Sequence, residues 1–120
     1  MITDLQPSAI WHYFYQITQI PRPSKKEGKV LAYLLDFARQ HNLEAKQDKA
    51  GNIVITKPST PGKEDIPTVI LQSHVDMVCE KNSDVTHDFD NDPIETIIDG
   101  DWVKANGTTL GADNGIGVAA

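Results

Sequence analysis

The chain has 120 residues, with 11 basic and 17 acidic side chains, a net charge of −6 and 39 % hydrophobic residues. That is ordinary composition for one globular domain and excludes disorder; the acidic balance speaks against general nucleic-acid binding, which wants a basic face. No apolar run reaches the length of a membrane span, no secretory signal is visible, and a single cysteine, Cys79, rules out a disulfide framework or a Cys-rich zinc ribbon. The expectation is a soluble, cytoplasmic, mixed α/β domain.

Residues 7–20 read as a helix, because Ile10, Tyr13, Phe14 and Ile17 recur at helical spacing and Pro7 suits a first turn. Pro21 and Pro23 end it. Ser24-Lys25-Lys26-Glu27 reads as a capping box opening a second helix, whose apolar stripe is Val30, Leu31, Leu34, Phe37 and Ala38. Asn42 suits a left-handed helix end. Both helices are expected to cover one face of a sheet.

Leu43 to Gln47 and Ile53 to Thr56, joined through Ala50-Gly51-Asn52, predict a hairpin. A polar loop, Lys57 to Pro67, follows. Thr68 to Gln72 is a short, continuous, β-branched run, the pattern of a strand buried on both faces in the middle of an α/β sheet. An irregular stretch leads from Met77 to Pro93. Asp99-Gly100 between Thr96-Ile97-Ile98 and Trp102-Val103-Lys104 predicts a second hairpin. The glycine-rich segment Gly107 to Gly117 lacks the Gly-Lys-Ser/Thr ending of a phosphate-binding loop, so nothing points to nucleotides. Residues 115–120 look like the first turn of a helix without its cap. The chain is therefore expected to be the N-terminal portion, residues 1–120, of a longer catalytic domain.

Three places could carry chemistry. His74-Val75-Asp76 directly follows the β-branched run, where α/β sheets gather their ligands. In an extended segment the two side chains point the same way, so Asp76 could accept the proton on one ring nitrogen while the other binds a metal. The same residues could equally be a satisfied histidine at a strand end. Asp113 stands in Gly111-Ala112-Asp113-Asn114-Gly115, where the glycines allow close approach and a carboxylate could bridge two cations; alternatively it caps the following helix. The acidic stretch Thr86 to Pro93 is read as a solvated loop with Phe89 packed inward. Cys79 is read as a packing residue, and His12 and His41 as helix-surface residues.

In combination, four strings resemble one known family. They are Ser73-His74-Val75-Asp76-Met77-Val78; Asp88-Phe89 with Asp92-Pro93-Ile94; Asp99-Gly100-Asp101-Trp102-Val103-Lys104-Ala105; and Gly107-Thr108-Thr109-Leu110-Gly111-Ala112-Asp113-Asn114-Gly115. The family is the M20 clan of dinuclear zinc peptidases, and the likeness is greatest to its bacterial Xaa-His dipeptidase branch. Ile20-Pro21-Arg22-Pro23-Ser24-Lys25-Lys26-Glu27 and Gly51-Asn52-Ile53 resemble that branch as well, so the resemblance runs along essentially the whole chain.

The resemblance implies an α/β catalytic domain with a mixed sheet flanked by helices. It implies that His74 ligates one zinc and that Asp113 bridges two. Asp76 would be the catalytic carboxylate that hydrogen-bonds His74, and the Asp113–Asn114 peptide would be cis. Manganese or cobalt would suit the same N/O donors. The substrate would be a small peptide, with no nucleic acid or membrane as partner, and the resemblance is compatible with a homodimer. The family's general-base glutamate, its other metal ligands and its lid or dimerisation domain are not among these residues. A catalytic zinc usually has three protein ligands, so the 120 residues alone are expected to bind zinc weakly and to be inactive. His74 and Asp113 can share a two-metal site only if their side chains lie within about 8 Å. A tripeptidase, carboxypeptidase or deacylase of the same clan would share these residues. So would a non-catalytic relative acting as a binding module.

Overall fold

A computed structural model describes residues 1–120. In chain order it contains a short 3-10 turn (Ile2–Asp4), α1 (Ser8–Thr18), α2 (Gly28–Gln40), β1 (Glu44–Gln47), β2 (Ile53–Thr56), β3 (Thr96–Asp99), β4 (Trp102–Ala105) and α3 (Ala112–Ala119). The chain divides into two compact units, Met1–Val30 with Ser73–Ala120, and Leu31–Gln72.

The first unit carries most of the core: Ile2, Phe14, Ile17, Val30, Met77, Ile94 and Ala119 are buried. Phe14 and Ile17 are on the apolar stripe expected of the first helix, and burying each such side chain contributes roughly 1.5–3 kcal/mol. α1 packs against α3. Their approach is close at Gly115, where a Cβ would lie 3.2 Å from the Phe14 ring. The Ile94 amide donates to the Thr18 carbonyl at 2.9 Å, which fixes the chain entering β3 to the end of α1. β3 and β4 pair antiparallel, Thr96 opposite Ala105 and Asp99 opposite Trp102, so the two turn residues are Gly100 and Asp101.

The second unit is built on the β1–β2 hairpin, with Glu44 opposite Thr56 and Gln47 opposite Ile53. Its turn is tied by Asp48, whose carboxylate accepts from the Ala50 amide, the Asn52 amide and the Asn52 side chain, each at 2.9 Å. Asn42 takes the left-handed conformation expected after α2.

The α/β class holds, and the strands pair as two separate antiparallel hairpins. Two local expectations do not hold. Thr68 to Gln72 is irregular and exposed, with Ile70 86 % and Leu71 92 % accessible. β-branched composition favours a pleated, buried surface but cannot supply the neighbouring strands, and no strand of this chain pairs with the run. The capping box does not form either. α2 starts only at Gly28, and the Ser24 hydroxyl donates to the Asp76 carboxylate instead of accepting from the helix. Lys25, next in the chain, is left-handed and its amide donates to the Glu27 carboxylate, so no helical turn follows Ser24 for its hydroxyl to cap.

Candidate metal and catalytic site

Two loops of the first unit meet at the site. One runs from Ser73 to Met77. Its far end is anchored by Met77, whose amide donates to the Arg22 carbonyl at 3.1 Å in a parallel bridge between Pro23 and Met77. The other is Gly111 to Asn114, at the entrance to α3. Asp113 and Asn114 have non-helical backbone angles, the peptide between them is cis as the resemblance implied, and regular helix follows from Gly115. The segments adjoining these loops are stitched together. The Thr109 amide donates to the Glu80 carbonyl at 2.8 Å, its hydroxyl to the Val78 carbonyl at 2.7 Å, and the Asn82 amide to the Gly107 carbonyl at 2.9 Å. Residues 39 positions apart are thereby brought face to face.

His74 stands between two carboxylates. Its Nε2 is 2.9 Å from Asp113 Oδ1, and its Nδ1 is 3.0 Å from Asp76 Oδ1. The separation from Asp113 is well inside the limit set by a shared two-metal site. An acceptor on each ring nitrogen favours the doubly protonated ring, so the His74 pKa is raised, chiefly by the bond to Asp113 and further by Asp76 against some desolvation. Asp76 is held below the usual carboxylate range, first by the Ser24 hydroxyl and then by His74. The result is a chain of contacts, Ser24 to Asp76 to His74 to Asp113, running outward from a half-buried carboxylate to one that is 96 % exposed.

The donor chemistry suits a divalent ion. A histidine whose second nitrogen is already engaged by a carboxylate has its tautomer fixed and its basicity raised, and the exposed Asp113 offers two oxygens. The number of donors is short of a complete site: Asp76 is turned to the far ring nitrogen of His74, and no three His, Cys, Asp or Glu side chains are placed to hold one metal ion together. Asp113 makes no capping bond to α3; its Oδ1 is engaged by His74.

Two contributors stand in the Ile20 to Glu27 string that resembles the dipeptidase branch, yet nothing in the sequence singles out their roles. Ser24, read as a helix cap, is bonded to Asp76. Arg22, in what reads as a helix stop, is 1 % exposed, and its guanidinium donates only to backbone carbonyls: Val75 at 3.0 Å, Asp76 at 3.3 Å and Gly111 at 2.7 Å. Burial lowers its pKa, partly offset by Cys79 and Asp76. Acceptors of that kind belong to every residue type, so no motif announces them.

The other candidates are structural. Asp88 and Asp92 close a turn on backbone amides and on Asn91, Asp90 pairs with Lys26 at 3.0 Å, and His87 stacks edge-on against the half-buried Phe89. Cys79 is half-buried and its thiol pKa is raised by burial, the opposite of an activated thiolate. His12 and His41 lie on helix surfaces and bond to backbone carbonyls one turn back.

No family model matches the chain. It is 48 % identical over 119 residues to the cytosol non-specific dipeptidase of Escherichia coli (strain K12), an alignment covering 99 % of this chain and 24 % of that protein. It superposes with a TM-score of 0.96 and 49 % identity on the crystal structure of an aminoacylhistidine dipeptidase from Vibrio alginolyticus, covering 99 % of this chain and 24 % of that one. The chain thus spans about a quarter of the length of either relative. Along practically its whole length, then, it is a homologue of these two bacterial dipeptidases.

Proposed function

We propose that the complete gene product containing these residues is a cytoplasmic, metal-dependent dipeptidase of the M20 clan, cleaving Xaa-His and related dipeptides by attack of water. The observation that carries the reading is the meeting of His74 Nε2 and Asp113 Oδ1 at 2.9 Å, with Asp76 behind the ring. His74 and Asp113 would hold the metal. Two zinc ions, or manganese or cobalt on the same donors, would supply a polarised peptide carbonyl and a water acidic enough to attack it at neutral pH. Within this chain the work is orientation. Asp76 keeps the Nδ1 proton, so that Nε2 faces outward, and Ser24 keeps Asp76 in place. Asp113, 96 % exposed and bonded through Oδ1 to His74, presents its carboxylate to solvent.

The general base and the remaining donors would come from outside these residues, so the 120 residues by themselves are proposed to bind zinc weakly and not to hydrolyse peptides. The test is hydrolysis of Xaa-His dipeptides by the complete gene product, with and without chelator, beside the His74→Ala variant. Activity that chelator and the substitution each abolish is the expected result. Hydrolysis indifferent to both would overturn the reading. So would tight, stoichiometric zinc in the isolated 120 residues, as far as their incompleteness is concerned.

A further inference from the structure

Arg22 is buried without a carboxylate partner, and its Nε has no hydrogen-bond partner at all. Burying a charge in that way is costly, and an apolar side chain of similar volume would serve packing alone at least as well. What the guanidinium does instead is span two loops. Nη1 donates to the carbonyls of Val75 and Asp76, the two residues that follow His74. Nη2 donates to the carbonyl of Gly111, two residues before Asp113. The backbone is cut away to admit it: a Cβ on Gly111 would sit 2.5 Å from Nη2, and one on Gly115 would sit 2.8 Å from it. A planar fork reaches both loops at once. A lysine ammonium, a single point donor, would satisfy one of them.

We propose that Arg22 is a positioning residue, whose guanidinium sets the register between the loop bearing His74 and Asp76 and the loop bearing Asp113. The proposal rests on the reading of His74 and Asp113 as a metal-holding pair. Arg22 touches neither of those side chains; it acts through the carbonyls that fix where they stand.

The experiment compares Arg22→Met and Arg22→Lys with the parent in the complete gene product. It reads kcat and KM on a dipeptide, zinc retained during dialysis against a chelator, the melting temperature, and amide exchange in residues 74–77 and 111–115. Arg22→Met is expected to lower kcat about 10–100-fold with KM nearly unchanged, and to lose zinc faster by a similar factor, the range typical when a group orienting a metal ligand is removed. Arg22→Lys is expected to fall close to Arg22→Met, because charge without the fork does not bridge the loops. Exchange should quicken in the two loops and nowhere else. A folded Arg22→Met or Arg22→Lys protein within twofold of the parent in kcat and zinc retention overturns the proposal. Failure of both variants to fold also overturns it and makes Arg22 a stability residue. If the parent itself neither binds zinc nor hydrolyses dipeptides, the functional reading fails, and Arg22 is judged on loop exchange alone. Quickening confined to the two loops then upholds its positioning role, and unchanged exchange refutes it.

Discussion

His74 is flanked by two short apolar stretches with opposite fates. Before it, Val69-Ile70-Leu71 lies open to solvent and pairs with nothing. After it, Val75-Asp76-Met77 is bound to Arg22 by side-chain and backbone hydrogen bonds, and Met77 is 4 % exposed. Judged on intrinsic preference, the first stretch is the better strand. The second is the ordered one because partners come to it: the guanidinium and carbonyl of Arg22, the hydroxyl of Ser24 and the imidazole of His74. In this chain, order around the site follows from long-range acceptors and donors, and local propensity does not decide it.

The contrast can be tested in order of expected effect. His74→Ala or Asp113→Ala in the complete gene product should remove dipeptide hydrolysis to background in a chelator-controlled assay. Activity surviving both would detach the ordered stretch from function. Asp76→Ala should be milder, with metal affinity lowered about 10–100-fold when titrated with a competing chelator. An effect as large as loss of His74 would mean that Asp76 is itself a ligand. Met77→Ala should cost about 2–5 kcal/mol in denaturant unfolding, against no more than about 0.5 kcal/mol for Leu71→Ala in the 120-residue chain. Equal costs would show the exposed run to be covered, and the contrast would collapse.

The smallest effect concerns pH. The Asp48 carboxyl is held below the ordinary aspartate range, chiefly by the Asn52 side chain and then by backbone amides. A depressed folded pKa stabilises above the unfolded value, near 3.9, and that contribution disappears as pH falls through the lower folded value. Acid should therefore loosen the β1–β2 turn before the rest of its unit. Asp48→Ala should already exchange its turn amides quickly at neutral pH and lose the acid step.

Much of this was legible in the residues. The hairpins were written in their turns, with Gly51 in one and Gly100 in the other at positive φ, and the end of α2 in Asn42. His74 and Asp113 could be singled out because histidine and glycine-flanked aspartate are chemically marked; that they meet at 2.9 Å could not be read from the residues. Thr68 to Gln72 was misread because composition reports what a strand would bury and is silent on whether neighbours exist. Ser24 was misread because a hydroxyl near a helix start has two possible partners, and the winning one, Asp76, lies 52 residues away. Arg22 lies in a string that carries part of the resemblance, but its role could not be read, since its partners are carbonyls.

The fit around that guanidinium ties distant positions into one inheritance. Gly111 and Gly115 have no room for a methyl group while Arg22 keeps its place, and Gly111 also holds a left-handed backbone. In a library of variants Gly115 and Arg22 should vary together: alanine at 115 should be tolerated, if at all, only beside a smaller residue at 22. Gly111 should stay glycine in either background, because a Cβ there would also meet Met77 Sδ at 2.8 Å.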